Sequence, residues 1–320
     1  MAKTRVAGSA STAVRPILKW AGGKRQLLRE LRPFYPPAFT RYIEPFVGSG
    51  AVFLDLYNQD LLAGHQVCLS DINADLIGCY RAVRDHVDAV IDELRQLETG
   101  HLARGREHFY EVRNQRFNPA RGEVHATGCR ADRYTPALAA MLIYLNRTGY
   151  NGLFRVNSHG AFNVPAGRHS SLRICDPDNL RRLAAALGTP GLALEVRQFR
   201  DALAEGSAGD FVYLDPPYAP LSRTASFTSY TTAGFGPVQQ ESLQRAVIDL
   251  AARGAHVLLS NSVTPEISAL YEDSADARAA GLTASRVEAR RAINSSAARR
   301  GPVLEYVITN VPRREAVTGP

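Results

Sequence analysis

A doubly wound, Rossmann-like α/β sheet, interrupted by a helical insert that ends in a β-hairpin, is the fold this sequence predicts. Three observations predict it. Strand and helix patterns alternate from the start, through "RYIEPF", the glycine-rich "VGSGAVFLDLYN" and "HQVCLSD". The character then changes between about residues 100 and 175, where arginine, asparagine and glycine become frequent, and the sheet pattern resumes with "LALEVRQF". Finally, "DFVYLDPPY" sets a short apolar run ahead of a rigid Pro-Pro, the pattern of a buried central strand.

The elements follow in order. "MAKTRVAGSASTAV" lacks the apolar block of a signal peptide and reads as a loose tail, residues 1–15. "GGKRQLLRELRPFYP" has helical spacing at Leu27, Leu28 and Leu31, and Pro33 and Pro36 close it. "RYIEPF" is a short strand, "VGSGAVFLDLYN" a glycine-rich turn opening a helix, and "HQVCLSD" a strand ending at Asp71. "NADLIGCYRAVRDHVDAVIDELRQL" reads as helical, and "NPARGEVHATGCRADRYTP" as an exposed loop. "PALAAMLIYLNRTGYNGLF" starts as an apolar helix and ends in a turn. In "FRVNSHGAFNVPAG", Phe154 and Val156 alternate with polar residues, a Ser-His-Gly turn follows, and then come Phe162 and Val164, a hairpin pattern. "LALEVRQF", "DFVYLDPPY", "AHVLLSNS" and "VLEYVITN" are further strands, and "VQQESLQRAVIDLAARG" is an amphipathic helix. The sheet domain is thus expected at 16–73 and 176–311, the insert at 74–175 and a C-terminal tail at 312–320.

Composition narrows the function. The net charge of +7 and pI of about 9.4 favour a polyanionic partner. No apolar run approaches the roughly 20 residues that span a membrane. The four cysteines, Cys68, Cys79, Cys129 and Cys175, form no C-x-x-C pair, which fits reduced thiols in a cytosolic protein. His125 and Cys129 stand four apart, but no second ligand pair follows, so no metal site is expected. Only three of the 38 basic residues are lysine, Lys3, Lys19 and Lys24, and two of them flank the single tryptophan in "KWAGGK". A compact ammonium is not interchangeable with a guanidinium, so this clustering invites a specific role.

Two constellations carry chemistry. In "EPFVGSGAVFL" the glycines let the backbone approach a ligand, and Asp71, 23 residues after Gly48, is placed to accept hydrogen bonds from ribose hydroxyls. The loop lacks full dinucleotide spacing, so a cofactor with one nucleoside and no pyrophosphate fits better than NAD. In "FVYLDPPY", Asp215 stands at the carboxyl end of a strand, where open α/β sheets bind ligands. Pro216 and Pro217 stiffen the turn and have no N–H groups. A carboxylate, a free carbonyl and the aromatic face of Tyr218 together suit an amino group on a flat ring.

With "KWAGGK", "EPFVGSG", "SDINADLI", "YLNRTGYNGLFRVN", "FNVP" and "DPPYAPLS" in this order, the chain resembles the Dam family of DNA adenine-N6 methyltransferases, in the alpha-class, D12 arrangement. The resemblance runs from about residue 16 to 311, and the stretches near 118–133 and 272–285 look like insertions. It implies a methyltransferase sheet with an inserted DNA-recognition domain, S-adenosyl-L-methionine as cofactor and double-stranded DNA as partner. It implies that Trp20, Ala21, Gly22 and Lys24 line the cofactor, that Phe46, Gly48, Ser49 and Gly50 form its glycine-rich turn, that Asp71 holds the ribose and that Phe199 packs on the adenine. Asp215, Pro216, Pro217 and Tyr218 would be catalytic, with Asp215 also near the cofactor. Lys19, Tyr150, Asn151, Leu153, Arg155 and Pro165 would contact DNA, with Arg155 reading guanine or, alternatively, only neutralising phosphate. The expected target is adenine in GATC, flipped out of the duplex. A monomer is expected, without metal or membrane, in the cytoplasm at a bacterial or phage nucleoid. Two other readings stay open: an amino-group methyltransferase of RNA or protein, and a catalytically silent DNA-binding homologue.

Overall fold

The computed structural model describes residues 13–20, 22–126, 128, 131–168, 173–218, 235–290 and 302–314. Its frame is a seven-stranded sheet in the order β3-β2-β1-β4-β5-β7-β6. The strands are β1 (Arg41–Glu44), β2 (Gln66–Asp71), β3 (Leu192–Val196), β4 (Phe211–Leu214), β5 (His256–Ser262), β6 (Thr283–Arg290) and β7 (Pro302–Thr309). The first five run parallel, while β7 inserts antiparallel between β5 and β6. This mixed α/β sheet is consistent with the S-adenosylmethionine-dependent methyltransferase fold.

Alternation along the central strands builds two cores. On β4, Phe211 and Tyr213 face one cluster, and Val212 and Leu214 face the other. Tyr42 and Ile43 on β1 divide the same way, as do Val307 and Ile308 on β7. Successive side chains of a strand point to opposite faces, so a strand covered on both sides must be apolar throughout. β4 is buried at all four positions.

The helices α1 (Leu28–Leu31) and α2 (Ala51–Asn58) come first. The expected helix at 22–36 is instead a chain of short turns, with a 3-10 turn at Lys24–Gln26, α1, and another 3-10 turn at Arg32–Phe34. Arg32 and the Tyr35 hydroxyl both bond to buried Asp55 of α2, which pins the segment to that helix. The helical stretch after Asp71 divides at His86 into α3 (Ala74–Asp85) and α4 (Val87–Arg104), because His86 takes a non-helical backbone. Asn73 caps α3 by accepting from Leu76 N at 3.2 Å.

Beyond these lie α5 (Arg106–Glu111), α6 (Asn118–Ala126), α7 (Pro136–Thr148) and α8 (Pro177–Leu187). α7 is almost wholly buried and packs against α3 and α4. Side chains of α3, α4, α7 and α8 enter the same cluster as one face of the sheet. α9 (Phe199–Ala204) and α10 (Pro237–Ala252) cover the opposite face.

The polar stretch Asn118–Ala126 differs from the expected exposed loop, of which residues 127, 129 and 130 lie outside the described residues. It forms α6 because its polar residues find internal partners. Arg121 donates to both oxygens of buried Asp75 at 3.0 and 2.9 Å, and His125 Nε2 lies 3.1 Å from the same carboxylate. Asn118 pairs with the backbone of Phe162 in both directions. The hairpin holds as a bridge between Val156 and Phe162 rather than as extended strands. Asn157 builds its turn, with its Oδ1 accepting from His159 N and Ala161 N.

Candidate active site

The carboxyl end of β4 gathers charged groups that are costly to bury unless paired. Lys24 is only 5 % exposed, and its Nζ lies 2.7 Å from Asp215 Oδ1. The same ammonium donates to the Gly22 carbonyl at 2.7 Å and stands 4.3 Å from the centre of the Tyr218 ring. Asp215 also accepts from Ser260 Oγ at 3.3 Å, and Ser260 meets the Tyr213 hydroxyl at 3.1 Å. Burial pushes the Asp215 carboxyl up to about 6, Lys24 opposes that shift, and Glu305 adds to it. The Tyr218 hydroxyl is driven well above the usual phenol range, mainly by burial.

The backbone of the Asp-Pro-Pro-Tyr turn is fixed from α10 and β5. Gln240 Nε2 donates to the Pro217 carbonyl at 3.0 Å, and Asn261 Nδ2 donates to Gln240 Oε1 at 3.1 Å. Tyr218 Oη donates to Glu305 Oε2 of β7 at 2.6 Å.

Beside this turn stands the glycine-rich loop after β1. Asp71 Oδ2 accepts from Gly48 N at 3.2 Å and Oδ1 from Asn73 N at 2.9 Å, so the acid at the end of β2 braces the loop. Tyr80 closes the other side, donating to the Gly48 carbonyl at 2.8 Å. Gly48 has φ +47°, and a Cβ there would come within 3.0 Å of Trp20 Cδ1. Only glycine allows that approach in the left-handed region. Gly50 is likewise left-handed at the start of α2, and Ser49 between them is buried. Burial lifts the Asp71 carboxyl to about 6 despite its backbone hydrogen bonds. Glu44, at the end of β1, is lifted to about 8 by burial, while the Tyr42 hydroxyl, bonded to it at 2.8 Å, pulls the other way. Phe46 and Phe199 stack at 5.4 Å, and Phe235 meets both rings.

The expected DNA-contact residues also come together. Tyr150 N donates to the Pro165 carbonyl at 2.8 Å, and Asn151 takes a left-handed backbone beside it. Arg155, on an exposed arm of the hairpin, donates to Asn163 Oδ1 at 2.8 Å. Leu153 is half-buried against the core. Lys19 is tied to this unit because Asn146 accepts from its N–H, donates to its carbonyl and also donates to Gly152 O. A side chain at Gly152 would collide with Lys19. Trp20 stacks on Phe154 at 5.7 Å, so the segment carrying Lys19 and Lys24 touches the hairpin. A cleft of about 360 Å³ opens beside Tyr150 and Asn151, walled by Arg106, Ala166, Gly167 and Arg168. Ala21 lies outside the described residues.

An acid, two prolines and a tyrosine thus stand at a strand end, beside a glycine loop braced by a second acid. The model of the D12 class of N6 adenine-specific DNA methyltransferases matches residues 20–293. This chain belongs to that class.

Relatives of the methyltransferase include the type II methyltransferase M1.LlaDCHI of Lactococcus lactis subsp. cremoris. It is 34 % identical over 297 residues, covering 93 % of this chain and 95 % of the relative. The type II methyltransferase M.MjaIII of Methanocaldococcus jannaschii is 36 % identical over 308 residues, covering 93 % and 99 %. The DNA adenine methylase of Escherichia coli (strain K12) is 36 % identical over 253 residues, covering 78 % and 81 %. The protein is accordingly an adenine-specific DNA methyltransferase. No described helix is long and apolar enough to cross a membrane, and the described residues contain no group of three or more His, Cys, Asp or Glu able to hold a metal ion.

Sequence reasoning missed four residues around the methyltransferase's Asp-Pro-Pro-Tyr turn: Gln240, Ser260, Asn261 and Glu305. The signal was present for two of them. Ser260 and Asn261 interrupt the otherwise apolar "HVLLSNS" and are fully buried, and a buried polar group needs a partner.

Proposed function

We propose that the methyltransferase transfers the methyl group of S-adenosyl-L-methionine to N6 of an adenine flipped out of double-stranded DNA, within 5'-GATC-3'. One observation carries the chemistry. Asp215 already holds a nitrogen, Lys24 Nζ, by one oxygen, with the ring of Tyr218 beside it. An exocyclic amino group on a flat base asks for the same carboxylate acceptor and the same aromatic neighbour.

The residues present fit the cofactor. Asp71, held by two backbone N–H groups, suits the hydroxyls of one ribose, and the close approach at Gly48 suits a ligand lying on the backbone. Phe46 and Phe199 offer aromatic surface for an adenine, while Trp20, Gly22, Ser49, Gly50 and Lys24 would wall the remainder, together with Ala21. The cofactor, when bound, supplies an electrophilic methyl group on a sulfonium.

The lone pair of adenine N6 is delocalised into the ring, which makes it a weak nucleophile. Asp215 and the Pro216 carbonyl accept its hydrogens and draw the nitrogen towards tetrahedral geometry. Positive charge develops on N6 as its bond to the methyl group forms and the methyl–sulfur bond breaks; Asp215 stabilises that charge and takes up the surplus N6 proton, which then passes to solvent. Tyr218 stacks on the extruded base, which offsets part of the few kcal/mol that flipping costs. Lys24 and Ser260 both bond to Asp215 Oδ1, so the target amino group can take Oδ2 while the ammonium stays in place.

Residues 74–175 would form the target-recognition domain, inserted in a catalytic domain of 16–73 and 176–311. Arg155 reads the guanine before the target adenine, supported by Tyr150, Asn151, Leu153 and Pro165, and Lys19 reaches the same duplex. The test is methylation of a GATC duplex and of duplexes with the first base replaced, for wild type and Arg155→Ala. Loss of a bidentate guanine contact should cost about 1–3 kcal/mol of discrimination at that base. A variant that keeps the wild-type preference for guanine removes Arg155 from that role. Wild-type protein that modifies another sequence and leaves GATC untouched removes the GATC assignment.

A further inference from the structure

We infer that Glu305 is a positioning residue of the catalytic turn, holding the Tyr218 ring by its hydroxyl in the pose that receives the target base. The inference rests on the proposed reaction. The hydroxyl–carboxylate distance is 2.6 Å, within the range of charge-assisted O–H···O⁻ bonds, which are roughly twice as strong as neutral ones. The acceptor is rigidly mounted. Glu305 stands near the middle of β7, paired in register with Val287 near the middle of β6 and with Ser262, the last residue of β5.

The backbone of the turn is held separately, through Gln240 and Asn261, so Glu305 acts on the Tyr218 side chain itself. Without it the ring could rotate about its side-chain bonds while the turn stayed in place. A phenol at a rim commonly bonds to water. Here it is fixed to a half-buried acid, beside an ammonium that already neutralises another acid.

The charge of Glu305 has a second consequence. Asp215 faces Lys24 from the N-terminal segment, Glu44 from β1, Tyr213 from β4, Tyr218 from its own turn and Glu305 from β7. Lys24 favours ionised Asp215, and Glu305 opposes it. Removing that negative charge while keeping an acceptor therefore lets Asp215 ionise at lower pH.

Four variants test this, with KM for a GATC duplex and the pH profile of kcat as readouts. Glu305→Ala and Tyr218→Phe should each raise KM about five- to twenty-fold, and the double variant should be no worse than either single one. Glu305→Gln should restore KM to within about two-fold and move the acid limb of the kcat profile to lower pH. Thermal melting confirms that each variant folds. If Glu305→Ala fails to fold, Glu305→Gln and Tyr218→Phe still decide the matter through the acid limb and KM. Wild-type KM and an unmoved profile in the Glu305 variants overturn the inference alone. So do multiplicative effects in the double variant. Wild-type protein that forms no N6-methyladenine on any DNA overturns the proposed reaction and this inference together.

Discussion

At the scale of single residues, the behaviour of the site turns on the charge of Asp215. Its carboxyl is raised to about 6 by burial, with Lys24 working against that shift. A carboxylate that must accept N–H groups is active when ionised, so kcat should rise with pH through about 6 and level off above it. Lys24→Gln removes the favourable charge and should move that limb to higher pH; a limb that stays in place would show that Lys24 does not act on Asp215. Asp215→Ala should lower kcat at least about 10²-fold, the scale of losing one aligned electrostatic stabiliser. Asp215→Asn keeps the shape but turns donors towards an amino group, so it should fail comparably. Activity of either variant within a few-fold of wild type would remove Asp215 from the chemistry. Asp215 was legible in the sequence because a strand end and two prolines mark it locally. Its partners were not, because Ser260 is 45 residues away and the Tyr218 partner Glu305 is 87. Only the sheet order brings β5 and β7 alongside.

Secondary-structure elements show where periodicity succeeds and where it misleads. The central strands were readable because both faces are buried, which forces apolar runs in β4 and β5. β6 was not readable. It pairs only with β7, at the sheet edge, and its described side chains are exposed or half-exposed, so "TASRVEAR" carries no burial pattern. α6 was misread for the opposite reason, since its arginine and histidine look solvated but converge on buried Asp75. Removing one partner of such a pair strands a charge in low dielectric. Arg121→Ala should therefore cost about 3–5 kcal/mol in urea unfolding. A loss below about 1 kcal/mol would mean that Asp75 finds another partner. Arg121 also bonds the Gly160 carbonyl, so the same variant loosens the hairpin that carries Arg155. At the end of β2, Asp71→Ala should weaken binding of S-adenosylhomocysteine in calorimetry, and an unchanged affinity would remove Asp71 from the ribose site.

Across the whole molecule, buried acids set how stability depends on pH. Glu44 is raised to about 8, and Asp71 and Asp215 to about 6. Between the ordinary carboxylate range near 4 and these values, the folded chain binds more protons than the unfolded chain. Stability from these groups should therefore fall as pH rises from about 4 to about 8, and then flatten. Asp85 and Asp210 are shifted the other way, Asp85 chiefly by its hydrogen bond from Arg84, and Asp210 because burial, which raises it, is outweighed by hydrogen bonds from Arg41, Ser207 N and Thr40. Their stabilisation is present above the ordinary range and is lost as pH falls below it. The urea midpoint should thus be higher near pH 5 than at pH 8; a midpoint that rises steadily to pH 8 would contradict the burial of these acids. The net charge of +7 also ties the protein to its polyanionic substrate, and replacing one phosphate-binding arginine by alanine should lower the salt slope of DNA binding by about one. The most direct test of the whole account is mass-spectrometric quantification of N6-methyldeoxyadenosine in an unmethylated GATC duplex. The duplex is incubated with S-adenosyl-L-methionine and either wild type or Asp215→Ala, with both proteins shown to be folded. The account predicts one methylated adenine per strand at the GATC position with wild type and none above background with the variant. Equal methylation by both proteins, or methylation by neither, would contradict it.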